Sequence, residues 1–153
     1  MENNKNTTVS STTPTSFWVI AGLFLIWNLL GVFHYLTSVN ATVESLVAQG
    51  MTIAQAGIFH NTPSYHYAVF ALGVWSGLLG TVFLLLRKAW AAPVFFFSAA
   101  MTIASFVLDA VGGNLSALGL SYLGIMTFTL MLALFEVWYS YEYEGSRNLT
   151  VTL

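Results

Sequence analysis

The sequence predicts an all-α membrane protein with four transmembrane helices arranged as two hairpins. Of its 153 residues, 57% are hydrophobic and only 7% are charged, whereas about a quarter of the residues in soluble domains carry charge. Four stretches of about 20 or more mostly apolar residues are long enough to cross the hydrocarbon core of a bilayer. All four Lys and Arg residues lie outside those stretches. Together these observations predict a bundle surrounded by lipid.

The chain divides into a transmembrane domain, residues 17–139, and two tails. The predicted transmembrane helices cover, in order, about 17–37, 65–86, 90–111 and 115–139. The second and third helices are joined at Arg87 and Lys88, and the third and fourth at the Gly112 turn. The first two helices are separated by a longer and more polar loop, residues 38–64. This spacing predicts two helical hairpins joined by one extended loop.

The loop contains helix signals of its own. Thr42 precedes a short apolar spacing, and Thr52-Ile53-Ala54-Gln55 has the form of a capping box, in which two side chains satisfy free backbone N–H groups. Thr62-Pro63 ends the segment, because the residue before proline avoids the helical conformation. We therefore expect a short helical hairpin that lies along the membrane surface.

The positive charges predict the orientation. With an even number of helices, all of them fall on one side of the membrane: Lys5, Arg87, Lys88 and Arg147. The positive-inside rule makes that side the cytoplasm. The Asn/Thr/Ser-rich segment 1–16 is predicted to be a disordered cytoplasmic tail, and residues 140–153 a second cytoplasmic tail.

An alternative interpretation is that the first apolar stretch is cleaved off and is absent from the mature protein. Val39-Asn40-Ala41 resembles a small-residue cleavage site, which would make the first apolar stretch a signal peptide. That stretch is longer than the 7–15 residues typical of a signal core, and a single Lys precedes it. We therefore expect four helices in the protein.

Glycines predict where helices pack closely. Gly73, Gly77 and Gly80 recur at i, i+4 and i+7 and form one smooth face, here called the glycine face. Gly31 on the first helix is assigned to helix packing as well. The partner of the glycine face is either another helix of this chain or the same helix of a second copy, and Leu84 is expected to face lipid.

Polar residues at membrane depth are the strongest candidates for a functional site, because they are costly in lipid. The third helix carries polar residues at i, i+4, i+7 and i+11: Ser98, Thr102, Ser105 and Asp109. Such stripes should face each other inside the bundle. The predicted polar intramembrane site consists of Asn28, His34, Thr102, Ser105 and Asp109. Alternatively, the Ser and Thr hydroxyls bond the backbone one turn earlier and only support packing.

A further stripe runs along the fourth helix. It consists of Tyr122, Met126, Thr129, Ala133 and Glu136, with Glu136 expected near the cytoplasmic interface.

The histidines predict a second candidate site at the outer face. Four residues are expected there: His34, His60, His66 and Asp109. Imidazoles and a carboxylate can bind a metal ion or accept a proton beside a polar cavity. The alternative is that the histidines are hydrated interface residues and that Asp109 caps the Gly112 turn. Metal-binding spacings such as HxxxH or HExxH are absent, so the metal stays unspecified.

Other function classes find no support. The chain has no cysteine, hence no disulfide and no thiolate nucleophile. The net charge of −2 provides no basic patch for nucleic acid. Nucleophile-elbow, phosphate-loop and dinucleotide motifs are missing, so nothing positive indicates an enzyme, and no cofactor is expected.

Several segments resemble a family of short bacterial four-helix inner-membrane proteins. They are Trp27-Asn28-Leu29-Leu30-Gly31-Val32 with Tyr35, Thr62-Pro63, the glycine face, and Leu84-Leu85-Leu86-Arg87-Lys88 before Trp90-Ala91. The resemblance extends from the first helix into the third and singles out Trp27, Asn28, Gly31 and Pro63. It implies a bacterial host and an inner-membrane location. Most members are uncharacterised and some are labelled sugar transporters.

Two functions are consistent with these patterns. The first is a small transport or permeation component, whose polar residues line a path that oligomerisation completes. The second is a non-transporting accessory or assembly protein, whose outer loop or glycine face binds another membrane protein. The expected partners are therefore the lipid bilayer and either further copies or another membrane protein. A transport path requires polar residues through both leaflets, whereas the sequence places them mainly in the outer half.

Overall fold

The computed structural model describes residues 13–147, and within them it contains six α-helices. Their bounds are α1 Thr15–Val39, α2 Val43–Ala48, α3 Ile53–His60, α4 Ser64–Leu85, α5 Ala91–Val111 and α6 Asn114–Arg147. Four of them, α1, α4, α5 and α6, are long and apolar enough to cross a membrane. The predicted fold class, an all-α bundle with four candidate spans and a helical loop between the first two, is confirmed. The chain has the architecture of a multi-pass membrane protein.

The tails fall partly outside the described residues. Residues 1–12, including Lys5, and residues 148–153 are not covered. Thr15 and Ser16, which were assigned to the first tail, already belong to α1. The last helix continues through residues 140–147 instead of ending at Tyr139. This extension changes the depth assigned to residues near its end.

Each long helix packs against the long helix that follows it in the chain. Helix α4 packs against both α1 and α5, and α5 packs against α6. Aromatic contacts between α6 and α1 complete the four-helix bundle. Among them is a Trp27–Phe128 pair with ring centroids 5.3 Å apart. We call the end of the bundle that carries α2 and α3 the hairpin end. The opposite end, where Arg87 and Lys88 join α4 to α5, is the basic end.

An apolar core fills the basic end. Phe17 is fully buried and stacks on Tyr143 with ring centroids 4.2 Å apart, and Phe24 meets Phe95 edge to face. Leu84 belongs to this core and is 1% exposed. The expectation that Leu84 faces lipid is therefore wrong, because it belongs to a buried cluster with residues of α1, α5 and α6. We call this cluster the aromatic core.

The glycine face packs inside the chain. A Cβ atom at Gly73 would lie 3.5 Å from Met101 of α5, and one at Gly80 would lie 2.9 Å from the Phe95 ring. Gly77 lies against Asn28 of α1 and Ser98 of α5. Of the two partners left open by the sequence, helices of the same chain cover this face.

Local signals explain the helix boundaries. Helices α1 and α4 each begin directly after a proline, which lacks the N–H that a first helical turn leaves unpaired. The capping box predicted at Thr52 is present, with Gln55 as its second residue, and Thr42 forms another with Ser45. The predicted helical hairpin in the loop is therefore confirmed.

Two turns depend on unusual backbone conformations. Arg87 adopts a φ of 57°, and the backbone N–H groups of Arg87 and Lys88 bond back to the last turn of α4, as in a Schellman motif. Within α6, Gly119 has a φ of 84° and interrupts the helix. Only glycine adopts this conformation without strain. The short first segment of α6 thus leans away from the direction of the long one.

Candidate functional site

A buried carboxylate lies near the hairpin end. Asp109 is 2% exposed and sits in the last turn of α5. It accepts hydrogen bonds from the Asn114 amide and from the Tyr122 hydroxyl, both at 2.9 Å. His66 Nε2 lies 3.4 Å from the carboxylate, and Ser105 Oγ lies 3.4 Å from the same nitrogen. We call these five residues the Asp109 cluster.

Three helices bring this cluster together. His66 is in the first turn of α4, Ser105 and Asp109 are one turn apart on α5, and Asn114 and Tyr122 lie on either side of the Gly119 break in α6. Because α4 and α6 both start where α5 ends, their first turns meet the last turn of α5. The Gly113 turn, with a φ of 78°, makes the reversal short enough for Asn114 to reach back to Asp109.

The arrangement does not reproduce a catalytic triad. In a triad the carboxylate and the nucleophile bond opposite nitrogens of the imidazole. Here Ser105 and Asp109 both approach Nε2 of His66. The cluster can therefore bind a proton or orient a polar ligand, but it does not activate the Ser105 hydroxyl in the manner of a hydrolase.

A cavity of about 500 Å³ opens beside the cluster at the hairpin end. Its lining includes Ile58, Asn61, Thr62, His66, Leu108 and Asn114. His66 and Asn114 belong to both the cavity and the Asp109 cluster. Both side chains also contact the buried Asp109 carboxylate.

A second buried carboxyl lies deeper in the bundle. Glu136 of α6 is 3% exposed, and its Oε1 accepts a 2.6 Å hydrogen bond from the Asn28 amide of α1. The same amide nitrogen lies 3.1 Å from Thr81 Oγ1 of α4 and 2.9 Å from the carbonyl of Phe24. We call Asn28, Thr81 and Glu136 the Glu136 cluster. It links three of the four long helices.

The glycine face makes this cluster possible. Asn28 Oδ1 lies against Gly77, at a position that any larger side chain would occupy. Thr81 Oγ1 donates to the Gly77 carbonyl at 3.1 Å, which directs its lone pairs toward the Asn28 amide. The absence of a side chain at Gly77 therefore decides where Asn28 can go.

Hydroxyls on α5 lie between the two clusters. Ser98 Oγ donates to the Gly73 carbonyl at 2.7 Å, and Thr102 Oγ1 donates to the Ser98 carbonyl at 3.0 Å. From Ser98 to Asp109 the helix rises about 16 Å, at 1.5 Å per residue. Ser98 also lies beside Gly77, next to Asn28. We call Asp109, Ser105, Thr102 and Ser98, together with the Glu136 cluster, the polar row.

The predicted site residues fall into separate groups. Ser105 and Asp109 meet in the Asp109 cluster, Thr102 lies between the clusters, and Asn28 pairs with Glu136 instead of Asp109. His34 is exposed and packs its ring edge to face against Phe70, with centroids 6.0 Å apart. The predicted polar site is thus divided between two depths.

The four residues predicted for the outer face do not assemble as a set. His66 and Asp109 meet, whereas the exposed His60 ring lies 3.2 Å from the Ala41 carbonyl and His34 lies against Phe70. Among residues 13–147, no group of three or more His, Asp or Glu side chains is close enough to hold a metal ion. The geometry offers a histidine–carboxylate pair at that face.

Sequence reasoning did not include Thr81, Asn114, Tyr122 and Glu136 in the site. Tyr122 and Glu136 were recognised as one polar stripe, but Glu136 was placed near the interface because the helix was expected to end at Tyr139. The helix extends to Arg147, so Glu136 lies eleven residues, about 16 Å, before its end. A predicted helix that continued through Tyr143 would have placed Glu136 inside the bundle.

Comparison with family models, curated proteins and solved structures finds no match to this chain. The interpretation of the site accordingly depends on its own geometry and chemistry.

Proposed function

We propose that the chain is a small transport or permeation component of a bacterial inner membrane, and that it conducts a small polar solute or ion along the polar row. One observation carries the proposal: polar groups run through the bundle from the cavity at the hairpin end to a buried carboxyl toward the basic end. Buried polar groups within a membrane are expensive, and those retained there commonly mark solute pathways.

The polar row gives the order in which a solute would contact the bundle. The solute would enter the cavity and meet His66 and Asp109. It would then pass the hydroxyls of α5 and reach Asn28 and Glu136. Successive residues of the row on α5 are three or four positions apart, a rise of about 4.5–6 Å. A small solute can therefore exchange one hydrogen-bonding group for the next without becoming fully desolvated.

The aromatic core closes the row at the basic end. Phe17, Phe24, Phe95 and Tyr143 are buried there in one cluster. Passage to that side requires α1 and α6 to move apart, and the contacts between these two helices are largely aromatic rings. In this proposal the cavity at the hairpin end is the entrance, and the basic end is closed.

Orientation and location belong to the same proposal. Arg87 and Lys88 lie at the basic end, which the positive-inside rule assigns to the cytoplasm. The cavity would then face the periplasm. The resemblance to short bacterial inner-membrane proteins, with Trp27, Asn28, Gly31 and Pro63 as its central positions, agrees with this location.

The alternative role, an accessory protein that binds another membrane protein, has fewer available surfaces. The glycine face was one of two candidate docking surfaces, and α1 and α5 cover it. The outer hairpin, where Ile53 is 76% exposed, is the other. In that role the polar row would serve only to pack the helices.

The test is a flux measurement in liposomes. Purified protein is reconstituted, and uptake of glycerol is followed by light scattering and proton flux by an internal pH dye. Both are compared with protein-free liposomes. The Ser105→Ala/Thr102→Val double variant removes two hydroxyls from the row, whereas Ser121→Ala/Thr127→Val removes two from the exposed surface of α6.

We expect the wild type to conduct at least one of the two probes, the first double variant to lose most of that flux, and the second to retain it. Flux no higher than in protein-free liposomes for both probes, or equal loss in both double variants, would contradict the proposal.

A further inference from the structure

We infer that Glu136 takes up and releases a proton inside the bundle, so that H⁺ is the ion used by the proposed transport component. The inference deepens the proposed function and rests on it. It follows from the surroundings of the carboxyl, from the neutral hydrogen bonds that Asn28 and Thr81 make, and from the position of the cluster beside the aromatic core.

The carboxyl has no charged partner among the described residues. The histidine–carboxylate contact between His66 and Asp109 lies elsewhere, near the hairpin end. Asn28 of α1 donates a hydrogen bond to Glu136. Thr81 of α4 is connected to Glu136 only through Asn28, whose amide also donates to the Thr81 hydroxyl. Neither side chain titrates. On α5, Ser98 lies beside Gly77 and Asn28, and on α6 itself Tyr139 and Tyr143 follow toward the basic end.

An uncompensated carboxylate in an apolar interior is costly, so such a group is held either with a bound cation or with a proton. A metal cation needs several oxygen ligands around a space of its own. Here the oxygens of Phe24, Thr81 and Glu136 converge on a point already filled by the Asn28 nitrogen. A proton needs no such space.

The hydrogen bonds around Asn28 leave the charge of a Glu136 carboxylate uncompensated. The Asn28 amide nitrogen carries two hydrogens, and it shares them among the Phe24 carbonyl, Thr81 Oγ1 and Glu136 Oε1. Thr81 donates its own hydroxyl hydrogen to the Gly77 carbonyl. Glu136 thus receives at most one neutral N–H donor from these residues, which does not offset a buried negative charge.

Proton release would change the contact between α1 and α6. The step converts the carboxylic acid to a carboxylate and transfers H⁺ to water, with no other bond formed or broken. The resulting charge favours hydration of the cluster, and a separation of α1 and α6 at the neighbouring aromatic core would admit water to it. Proton release is in this way coupled to opening of the basic end.

The experiment is infrared spectroscopy of the purified protein in detergent across a pH titration. The carboxylic-acid C=O stretch distinguishes a protonated carboxyl from a carboxylate. We compare wild type, Glu136→Gln, Asp109→Asn and, as a matched control on the same helix, the exposed Glu142→Gln. Glutamine keeps the shape of Glu136 and can still accept from Asn28, so the variant should fold.

The expected result is a titrating carboxylic-acid band that Glu136→Gln removes and that Glu142→Gln leaves unchanged. If Glu136→Gln does not fold, the Thr81→Val variant replaces it in the test. This variant keeps the Glu136 carboxyl but changes the hydrogen bonding of Asn28, so it should move the pH midpoint of the band. The inference is overturned if no titrating band responds to Glu136→Gln, or to Thr81→Val in that case. This readout is separate from flux: a titrating Glu136 without any flux refutes the transport role, and flux without a titrating Glu136 refutes the proton assignment.

Discussion

Replacing Gly77 by alanine should destabilise the bundle more than the same change at any other position of the glycine face. A Cβ atom there overlaps Asn28 Oδ1 and lies 3.1 Å from Ser98 Oγ. Asn28 must then rotate, which breaks its hydrogen bond to Glu136, or α1 must move away from α4. At Gly73, in contrast, the nearest atoms to a new Cβ are 3.5–3.6 Å away, an ordinary van der Waals separation.

The magnitude follows from three contributions. Alanine in place of glycine within a helix favours folding by about 0.5–1 kcal/mol. Overpacking at a close contact costs about 1–3 kcal/mol, and a lost side-chain hydrogen bond in a membrane protein costs about 0.6 kcal/mol on average. Gly77→Ala should therefore lower the free energy of unfolding by about 1–3 kcal/mol. Gly73→Ala incurs neither cost and should be neutral or stabilising by up to about 1 kcal/mol.

The assay is equilibrium unfolding in mixed detergent micelles, with thermal melting as a second measure. Gly80→Ala should fall between the other two, because its Cβ would lie 2.9 Å from the Phe95 ring, which can shift only within the aromatic core. Gly124→Ala, where a Cβ meets nothing within 4 Å, controls for helix propensity. If Gly77→Ala proves as stable as Gly73→Ala and Gly124→Ala, the close approach of Asn28 to α4 is refuted.

Three further predictions concern topology and the Asp109 cluster. A reporter active only in the periplasm should be active when inserted in residues 38–64 and silent at the C-terminus, and the reverse pattern would refute the orientation. Tyr122→Phe removes a 2.9 Å hydrogen bond to buried Asp109 and should lower the melting temperature, at a cost of about 0.6–1.7 kcal/mol; unchanged melting would count against that contact. Asp109→Asn should fold, because the amide can still accept from Tyr122, yet lose most of the flux measured in liposomes, and wild-type flux in this variant would remove Asp109 from the path.

Local features of the fold could be predicted because their causes act over short distances along the chain. A transmembrane helix is recognised by about 20 consecutive apolar residues, whatever lies beside it. The Thr52–Gln55 capping box is complete within four residues, and its hydrogen bonds form as soon as the helix does. The same holds for the periodicity that aligned Ser98, Ser105 and Asp109 on one face of α5.

The candidate site could be predicted only in part, since its contacts join distant residues. Asn28 and Glu136 are separated by 108 positions, and the repeat of polar residues along each helix does not say which stripes face each other. Asn28 was therefore grouped with Asp109, although it lies at another depth. Histidine spacing likewise could not distinguish His66, which reaches Asp109, from His34, which packs against Phe70.

Composition and hydropathy by themselves determined that this is an all-α membrane protein with four spans, because the cost of placing charge and unpaired backbone groups in lipid applies to each segment separately. Tertiary structure alone decided that Leu84 is core, that the glycine face is covered from within the chain, and that Glu136 is buried beside Asn28 and Thr81. The physical reason is packing: the missing side chain at Gly77 lets α1 approach α4, and that approach brings an amide, a hydroxyl and a carboxyl from three helices into contact.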